Sequence, residues 1–324
     1  MRIALDPWGS DYGSQIAVSH EVDSEDTSVQ ALEDPVEECP WAPIPPRPTA
    51  QPQMVAVVDG VMRTDTSAMV SEGDRHALAL FGSYATGAVI MNSQVQIVRD
   101  QVVRLLIAGN NWPEPDDVDV PAGTSASLCY QGRSSSADSY DKLREALTTE
   151  MRQSEARVAE KLSTEDSLIL ADGNLTFFSG SSSVVGAIKT IHKMYLAPKR
   201  AAILERLQPG ERTPLFRIVS GRKSDGYSVL TCYLRLARPQ PIELPFAGLV
   251  RLEVKASLGP QKAVILLNQA AVKVFTLASH APKDPRAPQN LIPVGGLERQ
   301  LRHRLGDPQL ILRGIKQKLR AMLE

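Results

Sequence analysis

Met54-Val-Ala-Val-Val-Asp59-Gly60 and Ser167-Leu-Ile-Leu-Ala-Asp172-Gly173 are the two stretches of this chain with the clearest chemical meaning. In each, an apolar run ends in Asp-Gly, which delivers a carboxylate to the carboxyl end of a predicted strand. Asp-Gly is also the ordinary way to turn a hairpin, and a single such signal reads as a turn. Neither run alternates in polarity, however: Val55 to Val58 and Leu168 to Ala171 are continuously apolar. That is the pattern of strands covered on both faces, and ligands gather where such strands end. Two carboxylates brought together there can share a metal ion, and their oxygen atoms suit Mg²⁺ or Mn²⁺.

A third carboxylate comes from the segment between them. Asp141 to Leu162 reads as an amphipathic helix whose apolar side is Leu143, Ala146, Leu147, Met151, Val158 and Leu162, with Glu145, Glu150, Glu155 and Glu160 also on it. At about 100° per residue, Glu150 and Glu155 fall on the two borders of the apolar side and Glu160 points away. Spacing leaves Glu150 and Glu155 open, and a solvated helix face is the ordinary fate of any one of them. An acid on a first strand, one on a helix and one on a fourth strand resembles the layout by which ribonuclease H-like nucleases hold divalent metal. After the second Asp-Gly, Val184-Val-Gly-Ala-Ile ends on Lys189. A lysine there either solubilises the end of an apolar segment or holds a phosphate as a point charge.

The elements that must position these groups make a predicted domain over 54–324, preceded by an acidic arm over 1–53 that ends in the proline-rich Trp41-Ala-Pro-Ile-Pro-Pro-Arg47-Pro. That arm reads as poorly structured, with an extended connector at its end. Beyond Asp59 the chain is expected to turn through polar residues, then run a meander through His76–Tyr84 and Thr86–Ile90. Val95–Ala108 has helical apolar spacing, and Asn110–Ser139 reads as a long surface excursion. Leu215–Ser220, Tyr227–Leu236 and Leu249–Val254 alternate like strands with one exposed face. Lys262–His280 and the basic segment Pro308–Glu324 read as helices.

Hydrophobic residues at 43% and charged residues at 23% are ordinary globular values and exclude a fibrous or fully disordered protein. The net charge of −1 is unevenly spread. Residues 1–50 hold ten acids against two basic residues, 186–224 nine basic residues against two acids, and 283–324 nine against four. Basic surface beside a carboxylate cluster fits a polyanion at a metal site, and exceeds what the phosphate of a small phosphoester needs. Cys39, Cys129 and Cys232 share no metal-ligand spacing and fit a reducing cytoplasm. No run is long enough to span a membrane, and no signal peptide is predicted.

Taken in order, these pieces resemble the NurA nuclease family over roughly residues 54–310. The carriers are Val57-Val-Asp59-Gly60, Leu168-Ile-Leu-Ala-Asp172-Gly173-Asn-Leu175, Val185-Gly186-Ala-Ile-Lys189, and the Tyr-Leu-Arg-Leu and Val-Arg-Leu-Glu-Val strands at 233–236 and 250–254. The resemblance implies an α/β fold with a ribonuclease H-like (PIWI-like) mixed sheet flanked by helices. It implies a Mn²⁺-dependent DNA nuclease (Mg²⁺ as substitute), a 5′ to 3′ exonuclease with single-strand endonuclease activity as a further option, acting in DNA end processing and repair. Its implied partners are single- and double-stranded DNA ends, a second copy of the chain and a HerA-type hexameric ATPase. Residue by residue, Asp59 and Asp172 look like metal ligands, Glu155 is favoured over Glu150 as the third, and Lys189 looks like the basic residue beside the site. The family's C-terminal histidine falls at about Gln300 or Leu301, and His303, offset by two or three residues, is its nearest substitute. That departure keeps a second expectation in view, a catalytically impaired DNA-end-binding scaffold of the same translocase complex.

Overall fold

The computed structural model describes residues 29–32, 36–47, 50–122, 126–178, 183–191, 193–220, 227–244, 246–280 and 287–322. Most of the acidic arm, and Arg222 and Lys223 of the central basic segment, lie outside the described residues. The strands are β1 (Val29–Leu32), β2 (Met54–Glu72), β3 (Arg75–Met91), β4 (Val95–Ala108), β5 (Val118–Ala122), β6 (Ala126–Ser134), β7 (Ser167–Asp172), β8 (Val184–Ile188), β9 (Phe216–Ser220), β10 (Ser228–Arg235) and β11 (Leu249–Lys255). The helices are α1 (Tyr140–Leu162), α2 (Pro198–Ala201), α3 (Ile203–Arg206), α4 (Pro260–Leu277), α5 (Ile292–Arg304) and α6 (Pro308–Ala321). The chain is a mixed α/β protein that divides into two compact units, one of 1–58, 89–96 and 159–295, the other of 59–88, 97–158 and 296–324.

In the first unit the strand order is β1-β9-β10-β11-β8-β7 followed by the start of β2. β7 runs parallel to both β2 and β8, while β8, β11, β10, β9 and β1 pair antiparallel in turn. β10 shows why the sheet is so apolar. Its Leu230, Cys232 and Leu234 enter one core with Val55, Val57, Leu168, Leu170 and the α4 side chains Leu267 and Val274. Val229 and Tyr233 enter a second core with Ile203, Leu204 and Phe216. Of the alternating strands expected to have an exposed face, β10 and β11 are therefore buried on both, with α4 and the short α2–α3 segment covering the two sides, while β9 keeps its alternation, Phe216 and Ile218 buried and Arg217 and Val219 half-buried. Part of the predicted acidic arm is structured too. β1 pairs with β9, Ile44 bridges Arg212, and Trp41 packs edge-on against Phe216 at 6.4 Å.

The second unit has the order β2-β3-β4-β6-β5. Here the sequence-based expectations need three corrections. First, β2 does not turn after Asp59 but continues to Glu72, and the hairpin reverses at Gly73, where φ is +57°. The polar continuation is viable because the Asp65 side chain is fully buried and multiply bonded: Arg63 Nε donates at 2.8 Å, the Tyr130 hydroxyl at 2.8 Å, and Ser83 also donates. Second, Val95–Ala108 is a strand, β4, not a helix. Six of its fourteen residues are β-branched, and the buried part is the continuous run Arg104–Ala108. Third, the Asn110–Ser139 excursion contains the hairpin β5–β6, whose Val118, Val120 and Tyr130 are core residues with Phe81 and Ile311. Two glycines record close packing in this unit: a Cβ at Gly82 would sit 2.5 Å from Leu147 of α1, and one at Gly314 of α6 would collide with the Pro121 carbonyl.

Candidate active site

β7 ends where the sequence predicts, at Asp172, and Gly173 follows at φ +103°, a value that suits glycine. The parallel ladder between β2 and β7 closes with Val58↔Ala171, so the next residue on each strand is a carboxylate, Asp59 and Asp172. On the other side of β7, Asp172 is in register with Ala187 of β8, which brings Lys189 to the same strand end. Lys189 Nζ donates to Asp172 Oδ2 at 2.7 Å and to Asn290 Oδ1 at 2.8 Å. Lys189 and Asn290 are buried, whereas the Asp172 side chain keeps 27% of its surface exposed. The lysine is thus held by an amide and a carboxylate at the mouth of the strand end, not extended into solvent.

The loop after Asp172 is fixed by a carboxylate on β11. Glu253 Oε1 accepts from the Leu175 backbone N–H at 2.8 Å and from the Tyr227 hydroxyl at 2.8 Å, while Oε2 accepts from Arg251 Nη1 at 2.7 Å. Burial and the neighbouring Glu253 push the Tyr227 hydroxyl well above its ordinary range. Burial pulls the Arg251 guanidinium down, but the Glu253 charge outweighs it and holds the arginine firmly protonated. Gly186 of β8 leaves room for this loop, since a Cβ there would lie 2.6 Å from the Gly173 carbonyl oxygen.

In the second unit, Asp59 and Glu155 are both buried, at 5% and 7% exposure. A Cβ at Gly60 would stand 2.5 Å from Glu155 Oε1 and 3.0 Å from Met151 Cγ. Gly60 is therefore the residue whose missing side chain admits the Glu155 carboxylate beside β2. α1 is fastened in this position by the Thr86–Ser154 hydroxyl pair at 3.0 Å and by Leu143 and Leu147 in the core with Leu80, Tyr84 and Ile107. Glu150, the alternative that helical spacing left open, is only partly buried.

His303 lies exposed in the last turn of α5. Leu301, near the position of the expected histidine, is fully buried, and both it and Leu297 lie within 3.4 Å of where a Gly87 Cβ would be. Among the described residues no group of three or more His, Cys, Asp or Glu side chains is preformed to hold a metal ion. Sequence reading missed Asn290 and the work of Glu253. The second had a signal, an acid inside a strand that is otherwise apolar on both faces; the first had none, because its partner is 101 positions away.

The chain matches the NurA domain model over residues 64–294, a span that includes Glu155, Asp172 and Lys189 and leaves Asp59 and His303 outside. Among solved structures, one described as "Crystal structure of NurA bound to dAMP and manganese" is 17% identical, with a TM-score of 0.18, over 42% of this chain and 22% of that one. This chain thus spans less than a quarter of that structure's length, and a likeness so small carries no argument. No curated protein matches. With most of its length covered by the domain model, the chain belongs to the NurA family.

Proposed function

We propose that this protein is a metal-dependent deoxyribonuclease that trims DNA ends. Membership of the NurA family implies a nuclease role in DNA end processing. The observation that carries the reading to particular residues is the ladder ending at Val58↔Ala171, which leaves Asp59 and Asp172 as the next residue on two adjacent parallel strands. Asp59, Asp172 and Glu155 carry only oxygen donors, the chemistry that hard divalent cations such as Mn²⁺ or Mg²⁺ require. In this proposal Asp59, Glu155 and Asp172 hold the metal, whose role when bound is to activate water and stabilise the leaving oxygen of a phosphodiester. Lys189, oriented by Asn290, neutralises a non-bridging phosphate oxygen as charge builds on it. Glu253 anchors Leu175 and so fixes the loop that follows Asp172. His303 is the remaining candidate for a proton-transfer role.

The finer features follow from the family resemblance: 5′ to 3′ polarity, a homodimer, and a HerA-type hexameric translocase that delivers DNA. The three cysteines are free thiols and no described helix is long and apolar enough to cross a membrane. The free thiols support a reducing, cytoplasmic setting.

The test is degradation of 5′- and 3′-labelled single- and double-stranded DNA with Mn²⁺, Mg²⁺ or EDTA, beside Asp172→Ala. Metal-dependent cleavage reduced about 100-fold or more in the variant, with an unchanged melting temperature, is the expected result. Equal cleavage by the variant would end the assignment. A second reading, a non-catalytic DNA-end scaffold of the translocase complex, is favoured by the buried Leu301 near the expected histidine position. It predicts metal-independent DNA binding with no turnover.

A further inference from the structure

The second unit contains a cleft of about 600 Å³ that the proposed metal site does not use. It opens where two strands part. The β4–β6 ladder runs only from Leu105↔Gln131 to Ala108↔Ser134. Upstream of it, Gln101–Arg104 on one strand and Ser127–Cys129 on the other line the gap, and α1 closes the side with Glu150 and Arg157.

The charge in this cleft is cationic: Arg104, Arg133 and Arg157 stand against Glu150 alone. Arg157 is exposed, and the Arg133 side chain keeps 42% of its surface exposed while its Nη atoms donate to the Gly132 carbonyl at 2.7 Å and to Gln131 Oε1 and Glu114 Oε1 at 3.2 Å each. Arg104 differs. It is 8% exposed, one Nη donates to the Leu305 carbonyl at 3.1 Å, and its Nε has no acceptor among the described residues. A buried, unsatisfied guanidinium donor costs free energy unless a ligand supplies the acceptor. The aromatic ring in the lining belongs to Tyr84, which is 2% exposed and offers no face for base stacking. The cleft therefore suits phosphate and sugar groups and not base recognition.

We propose that this cleft binds the phosphate backbone of a single DNA strand without regard to sequence, with Arg133 and Arg157 on successive phosphates and Arg104 at its floor. The proposal rests on the nuclease reading for the identity of the polyanion. Arg157 follows Glu155 by two residues on α1, which turns the two side chains to opposite sides of the helix, Arg157 exposed at the cleft and Glu155 buried.

The experiment is fluorescence anisotropy of a labelled oligothymidine with the full chain in EDTA, over a range of salt concentrations. The variants are Arg133→Ala, Arg157→Ala and the pair, with Arg313→Ala as a control for charge removed from the exposed side of α6. Each single variant is expected to weaken binding about fivefold and to reduce the slope of log K against log[salt] by about 0.7, the double by about twice that, with the control unchanged. Retained affinity and slope in the double variant would overturn the proposal, as would no binding by the wild-type chain at low salt, or an equal loss in Arg313→Ala. Competition by free mononucleotide as strong as by the oligonucleotide would overturn it in favour of a nucleotide pocket. The nuclease reading fails separately: if Asp172→Ala cleaves like wild type while the cleft variants lose binding, the cleft stands and the metal assignment falls.

Discussion

The arginines of the first unit and those of the cleft in the second put the same side chain to opposite uses. Arg212 is 2% exposed and satisfied within the protein: both Nη atoms bond Glu37 at 2.8 Å, Nη1 also bonds the Thr213 carbonyl, and Nε bonds Asn268. Arg251 is likewise buried on Glu253, and Arg200 sits over the Trp41 ring at 4.9 Å. Arg133 and Arg157 keep their heads at a cleft. The segment 186–224 looked basic enough to grip a polyanion, yet its Arg200 and Arg212 are engaged inside the fold, Arg212 with a glutamate from the acidic arm. Local charge excess says little about function until the partners are known, because a buried ion pair needs opposite charge brought from far along the chain.

The sharpest way to break this contrast is Arg212→Met. It strands the buried Glu37 carboxylate and should destabilise the protein by about 3–5 kcal/mol, read by denaturant unfolding. An effect below 1 kcal/mol would show that the pair is not structural. Gly60→Ala should cost about 1–3 kcal/mol and lower any metal-dependent cleavage, because the new methyl group displaces Glu155 and crowds Met151 and Thr86. Wild-type stability with wild-type activity would mean that Glu155 does not need its place beside Gly60.

Glu37 adds a pH signature. Burial pushes its carboxyl up, but the Arg212 guanidinium and the Leu215 N–H outweigh that and leave it below its ordinary value of 4.5. A carboxyl with a lowered folded pKa contributes stability that is fully present above the unfolded value and is lost as pH falls through the folded one. The stability gap between wild type and Glu37→Gln should therefore be constant above about pH 5 and shrink as the pH drops below 4.5. A gap independent of pH would remove the ion pair as its cause. The smallest effect belongs to the cleft: Arg157→Ala should change stability by no more than about 0.5 kcal/mol, the usual range for a surface substitution, while weakening DNA binding. Equal stability losses in Arg157→Ala and Arg212→Met would erase the distinction between the two sets.

What the sequence determined by itself lies in short-range order. The second Asp-Gly strand end, helices α1, α4 and α6, and strands β7, β9, β10 and β11 were legible because a period of two or 3.6, or a continuous apolar run, is written in adjacent residues. Family membership was legible for the same reason, through short motifs in a fixed order. Where the local signal was mixed, tertiary context decided. Val95–Ala108 satisfied helical spacing but carried β-branched residues and became a strand; the polar stretch after Asp59 became the rest of β2 once Asp65 found Arg63, Ser83 and Tyr130. Three things belonged to the tertiary structure alone: the space at Gly60 that Glu155 occupies, Asn290 brought to Lys189 from 101 positions away, and the cleft opened where β4 and β6 separate. Each depends on which distant segments pack together, and that is a property of the whole core and not of any window of sequence.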